Sequence, residues 1–397
     1  MLKIKTLALI CCGHMVGHWY IGVLMLVLPI LKADLQLTFT QVGLIIALRS
    51  LAGAFGNTTS GLIVDLVGRR NLILTISAAG MGIFWFAVGF AQDYLFLLIV
   101  IPLATTCSNL WHAPAMSALS ETYPDRKGFA LGMHGATANL GQAISPLVMG
   151  LLITWLGWRT ALKLNFLPGL LMAVLLVVFL PRLGAFDFKR KTKAAFLKLL
   201  TEKIIKNPAL LLISIVSAFR TMGQRGIETF LALFLADKVG LDPVWIGLYL
   251  SILTFSSTFP EPLIGWLSDH IGRSAILMIS LTMSGLAVVA ITLVPPGLPL
   301  MISVGLLGFF HYSLRTIIFA YALDVTPPEI GATTISYVFA WNQTFSAISP
   351  LVGGFLADAF GIRYAMYFIA ALTVIAALIS GLVKAMPQPV NPEACEE

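Results

Sequence analysis

"GLIVDLVGRR", residues 61–70, returns as "GWLSDHIGRS", residues 265–274. Both read G-x-x-x-D-x-x-G-R, and the second begins 204 residues after the first. The same offset relates "ISPLVMG" (144–150) to "ISPLVGG" (348–354). It relates Gly157 and Arg159 to Gly361 and Arg363, and Thr122 and Pro124 to Thr326 and Pro328. Four matches at one offset identify an internal repeat. The chain reads as two copies of one unit, 1–180 and 208–385, joined by a linker at 181–207 and followed by a tail at 386–397.

Each copy is a membrane unit. The 397 residues are 58% hydrophobic and 11% charged, with a mean hydropathy of +0.92. A soluble domain is about 45–50% apolar and about 25% charged. Apolar stretches of spanning length, about 20 residues, recur at 6–31, 41–64, 71–91, 95–118, 129–154 and 160–180. They resume at 208–236, 243–267, 274–294, 299–323, 331–356 and 362–384. The expected fold is an all-α integral membrane protein, with twelve transmembrane helices as two pseudo-symmetric six-helix bundles. The N-terminus "MLKIKTLALICCG" (1–13) has the basic start of a signal peptide. Its apolar run continues to Leu31 with no small-x-small site, so it reads as a retained first span. The four cysteines form no CxxC pair and no disulfide framework.

The net charge of +7 raises the question of a nucleic-acid partner, and the placement of the basic residues answers it. With the N-terminus inside, cytoplasmic segments hold 16 of the 25 Lys and Arg, and external loops hold Lys32, Arg159, Lys238 and Arg363. This bias puts both termini in the cytoplasm of a multi-pass protein of the inner (plasma) membrane. Eight of the basic residues lie in 181–208, where the rhythm of 194–205 predicts an amphipathic surface helix. The basic charge is topological, and no nucleic acid is expected.

The twelve spans, the basic central linker and the duplicated G-x-x-x-D-x-x-G-R hairpin resemble the major facilitator superfamily over essentially the whole chain. That resemblance implies two bundles around a central cavity, lined by the first, fourth, seventh and tenth spans. It implies alternating access about a midplane site, with the Asp65 cluster as a cytoplasmic gate. "WHAPA" (111–115) is similar to a His-Pro-Ala element of fosmidomycin-resistance-type exporters. An extra residue separates His112 from Pro114, and no substrate assignment follows.

The hairpin also has a physical reading. Gly61 suits close helix approach, and Gly68 suits a tight turn. Asp65 sits at a helix C-terminus, where the macrodipole disfavours an anion, so it needs a partner and Arg69 is within reach. Asp269 and Arg273 repeat the arrangement in the second half. The plainer alternative is a topological turn with positive-inside charges.

Five cations lie inside spans: Arg49, Lys163, Arg220, Arg225 and Arg315. Lys163 is near a helix end and can snorkel. Glu228 and Glu261 are the intramembrane carboxylates. A charge at mid-bilayer costs at least about 2.5–3.5 kcal/mol, so such groups face a cavity and find partners. Subtracting 204 puts His14 and His18 of span one at the level of Arg220 and Gln224 of span seven. Arg315 of span ten falls at Trp111 beside His112, and His311 at Cys107 near Asn109. His14 and His18 are i,i+4, as are His311 and Arg315. Arg220, Gln224 and Glu228 run i, i+4, i+8 along one stripe.

Glu228 can pair with Arg225, which leaves Arg220 and Arg315 without a carboxylate. A guanidinium fork matches carboxylate, phosphate or phosphonate, so the expected substrate is a small organic anion. Backbone carbonyls are the competing partners, and Arg49 could instead lock the bundles together. His14 and His18 fit proton handling, packing, or metal ligation with His112. Nearby arginines oppose a divalent cation, and no metal or cofactor is expected. Glu261, in "FPEPLIG" (259–265), fits a proton carrier, an inner-gate contact or a structural hydrogen bond. Trp19, Tyr20, Trp111, Tyr312 and Trp341 could shape an amphipathic pocket, with Asn342 and Gln343 adding neutral polar groups. Asn139 corresponds to Gln343.

The functional expectation is a secondary active transporter for a small organic anion, coupled to protons at His14, His18, Glu228 or Glu261 and acting as a monomer in the lipid bilayer. No GxxxxGK[ST] loop appears, so ATP is not the expected driver. A proton-antiport drug or antibiotic exporter is the closest alternative. A non-transporting receptor would need a signalling domain that the sequence does not display. No nucleophile–base pair supports an enzyme.

Overall fold

A computed structural model describes residues 2–67, 69–180, 204–258, 260–327 and 330–384. Residues 194–203 of the surface helix expected at 194–205, the tail at 386–397, Gly68 and the side chain of Asp65 lie outside the described residues. Helices account for almost all the rest, because lipid leaves backbone N–H and C=O groups no partner except one another.

The first bundle comprises α1 (Leu2–Asp34), α2 (Phe39–Val67), α3 (Arg70–Val88), α4 (Tyr94–Asn109), α5 (His112–Thr122), α6 (Lys127–Leu156), α7 (Trp158–Leu164) and α8 (Phe166–Phe179). The second comprises α9 (Pro208–Phe234), α10 (Pro243–Phe255), α11 (Pro260–Ile271), α12 (Arg273–Leu293), α13 (Leu298–Leu307), α14 (Leu314–Asp324), α15 (Gly331–Ser346), α16 (Ile348–Phe360) and α17 (Ile362–Lys384). Several expected spans are therefore helix pairs, such as α4–α5, α10–α11 and α15–α16. Among the described residues, nine helical segments are long and apolar enough to cross a membrane. The other three expected spans fall short for visible reasons. The span expected at 208–236 carries Arg220, Arg225 and Glu228, the one at 243–267 is broken in two, and the one at 331–356 holds Asn342 and Gln343.

The repeat is legible in the backbone. Gly157 ends α6 at φ +74° and Gly361 ends α16 at φ +97°. Only glycine enters that region without steric cost, which explains why both copies keep it.

The bundles meet along two seams, α2 against α16 and α6 against α10. These seams close one end of the molecule, where the N-termini of α2 and α10 lie. A Cβ on Gly43 would sit 2.2 Å from the Pro350 carbonyl oxygen, and one on Gly247 would sit 2.4 Å from that of Pro146. Gly354 stands in the same relation to Phe39, and Gly150 to Pro243, each at 2.6 Å. Every member of one seam maps onto the other by the 204-residue offset. Asp358 adds a polar clasp, accepting from the backbone N–H groups of Phe39 and Thr40, both at 2.8 Å, and from the Thr40 hydroxyl. It thus caps the N-terminus of α2 from the opposite bundle. Lys32 pairs with Asp237 across the bundles at 2.9 Å.

The other end, with the 61–70 and 265–274 hairpins, is open. Among the described residues, a Cβ on Gly61 or Gly265 would meet no atom within 4 Å. The close approach expected at Gly61 is not seen among the described residues.

Candidate functional site

Between the bundles lies a cavity of about 170 Å³. The first bundle contributes His18, Ile21, Asn139 and Gln142, and the second contributes Ser217, Arg220, Thr221, Gln224, Arg225, Glu228, Ser257, Tyr312, Arg315, Ile318, Phe319, Phe339, Asn342 and Gln343. Asn139 and Gln343, paired by the repeat, face it from opposite sides.

The stripe on α9 carries most of the polarity. Glu228 accepts from Gln224 at 2.9 Å and from Arg225 at 2.7 Å, the pair expected from i,i+3 spacing. Arg220 is buried and donates through Nε and Nη2 to the His311 carbonyl, at 3.3 and 3.0 Å. His311 donates from Nε2 to the Arg220 carbonyl at 3.2 Å. The carbonyl is presented by a π-helical turn at Gly308–Tyr312, an insertion frequent at functional sites. A carbonyl satisfies donors without cancelling charge, so Arg220 keeps its full positive charge. Arg315 is exposed to the cavity and has no hydrogen-bond or ion-pair partner among the described residues. The Tyr312 hydroxyl and Asn342 Oδ1 are buried and unpartnered.

The facing wall is built of histidines. His14 is buried, and its Nδ1 lies 2.8 Å from the His134 carbonyl. The two rings stack, centroids 3.6 Å apart and planes 8° apart. His18 and His112 meet His14 edge-on at 4.7 and 5.3 Å. His18 Nδ1 faces Gln142 Oε1 at 3.4 Å. Four of the six histidines therefore gather in one cluster, and His18 is the member that reaches the cavity. His134 went unseen in the sequence: it is a lone histidine in a glycine-rich span, and its repeat partner is Val338. Among the described residues, no group of His, Cys, Asp and Glu has metal-holding geometry.

Several expected site residues stand elsewhere. Tyr20 is core, donating to the Asn165 carbonyl at 2.7 Å and stacking on Trp85. Trp19 donates to the Asn165 side chain. Trp111 is buried, its indole filling the space that Gly13 leaves. Asn109 bonds the Thr105 carbonyl and packs against Gly53 and Gly56. His311 is spent on Arg220, behind the wall. Trp341 stacks on Phe345 at 5.3 Å. Arg49 is buried behind the cavity, within electrostatic reach of Arg225 and Glu228. Glu261 accepts a hydrogen bond from Thr316. Helix rotation explains these placements, because level within the membrane does not fix which way a side chain points.

At the open end Asp269 pairs with Arg273 at 2.7 Å, and Arg273 also binds Asp324. In the first bundle Arg69 is exposed, while Arg70 is fully buried and grips Glu121 through two bonds of 2.6 and 2.8 Å.

The arrangement of two bundles around a polar cavity has known counterparts. A bacterial homolog of the human lysosomal transporter Spinster, solved inward-facing and unoccupied, superposes with a TM-score of 0.83 at 19% identity, over 97% of both chains. The multidrug resistance protein MdtG of Klebsiella pneumoniae (strain 342) is 25% identical over 86% of this chain and 82% of its own. The fosmidomycin resistance protein of Escherichia coli (strain K12) is 24% identical over 89% and 86%. The sequence profile of the Major Facilitator Superfamily matches residues 10–260 and 213–394. The chain belongs to the Major Facilitator Superfamily and is a membrane transporter, not an enzyme.

Proposed function

We propose that this transporter carries a small organic anion of the carboxylate, phosphate or phosphonate type, coupled to protons. One observation carries the reading: the cavity is lined by three arginines against a single carboxylate, and that carboxylate is already paired with Arg225. Arg220 and Arg315 leave an uncompensated charge of two in a low-dielectric wall, where an anion offsets a large electrostatic cost. The Tyr312 hydroxyl adds an unspent donor. The reading places the open end in the cytoplasm, on the bias of basic residues, with a protomer that works alone.

Thermal stabilisation of the purified protein against a panel of anions, at about pH 5.5 and about pH 7.5 where histidine changes charge, tests it. Carboxylates or phosphonates should stabilise the wild type, and Arg315→Gln should lose the effect. Stabilisation only by cations or neutral lipophiles overturns it. A second reading, proton-antiport drug export, draws on the names of the relatives and on Phe319 and Phe339 in the lining.

A further inference from the structure

We infer that His14, His18, His112 and His134 form a single-proton site, with His14 as its hub and His134 as a stacked platform. The argument begins with hydrogen placement. The His134 carbonyl can only accept, so His14 Nδ1 carries the hydrogen. In the neutral ring Nε2 is then a bare lone pair, and it is buried without a partner. His134 Nε2 is likewise buried and unpartnered. Unmet polar atoms of this kind are uncommon in protein interiors. Two in one stack, on α1 and α6, mark a place built to receive something small.

The surroundings limit what it receives. The electrostatic neighbours of the four rings are one another and Arg315 of α14, with no carboxylate among them. Two unit charges about 4 Å apart at the effective dielectric of a protein repel enough to disfavour the second by about a thousandfold. The cluster therefore takes one proton and refuses another. A charged His14 stacks on the His134 ring and touches His18, the ring that opens on the cavity. An anion beside Arg315 would relieve the one cationic neighbour that opposes the proton.

The site deepens the proton-coupled reading and rests on it for its use, yet it is testable without substrate. Full-length protein labelled with ¹⁵N-histidine, in lipid nanodiscs, is titrated by ring-nitrogen NMR from about pH 8 to about pH 4, the range around ordinary histidine. The four rings should together gain one proton. His14→Asn keeps a donor toward the His134 carbonyl and should abolish that step. His134→Phe keeps the stack and the backbone carbonyl and should retain it. Two or more charged rings, no charged ring, or a step that survives in His14→Asn overturns the site. If anions stabilise the protein and this step is missing, the proton site falls and the anion reading stands.

Discussion

The two ends of the molecule use glycine in opposite ways. At the closed end Gly43, Gly150, Gly247 and Gly354 let backbone meet backbone, and a methyl group at any of them would collide with a carbonyl oxygen or its neighbours. At the open end Gly61 and Gly265 have room around them among the described residues. Closure is therefore made by absent side chains more than by present ones. The clasp of Asp358 and the Lys32–Asp237 pair only trim it.

Filling the seams should break this contrast most strongly. Gly43→Val with Gly247→Val forces two contacts below 2.5 Å apart. Overpacking costs about 1–3 kcal/mol per site, enough to shift the closed population at least tenfold. Spin labels placed across the closed end should move apart by pulsed electron resonance, and an unchanged distance would show that the seam yields.

Asp358→Asn comes next. Loss of a charged cap costs about 1 kcal/mol, roughly a fivefold shift of the same distance distribution. Burial alone would raise the Asp358 carboxyl, but bonds from Thr40 and the Phe39 N–H outweigh it and hold it below its ordinary value. A carboxyl depressed in the closed state supports closure above the ordinary carboxylate range. That support fades as pH falls through the depressed value. Acid should thus loosen the wild type, and Asp358→Asn should remove that sensitivity; equal acid response in both would exclude the clasp.

Lys32→Ala should act more weakly. The pair is partly exposed, with side chains 20% and 33% accessible, and such pairs contribute at most about 1 kcal/mol. Its effect should vanish in high salt. Gly61→Ala and Gly265→Ala should leave the closed-end distance unchanged. A shift there would mean that the open end already packs tightly.

How much of this could be read from the sequence differs between seam and site. Apolar stretches exposed the spans, and the 204-residue offset exposed the repeat and the correspondence of Asn139 with Gln343. It also held the seams in plain view, since Gly43, Phe39 and Pro146 map onto Gly247, Pro243 and Pro350, but no periodicity says that four carbonyls will touch four glycines. Residue level was legible and azimuth was not. Arg220, Gln224 and Arg315 reached the cavity, while Tyr20, Asn109 and His311 turned away. The grip of Arg220 on the His311 carbonyl depends on a π turn that leaves no mark in the sequence. The repeat partner of His134 is the apolar Val338, so nothing flagged it.

The twin seams have a mechanical consequence. Two points fix a line, and a rigid bundle pinned at both keeps one rotational freedom about it. The arms of that lever are long. Lys127 lies 23 residues along α6 from the Gly150 contact, roughly 34 Å at about 1.5 Å per residue. Each degree of swing at the pin then carries the far end of the helix by about 0.6 Å, so a tilt that barely disturbs the glycine contacts is magnified into a doorway at the other face.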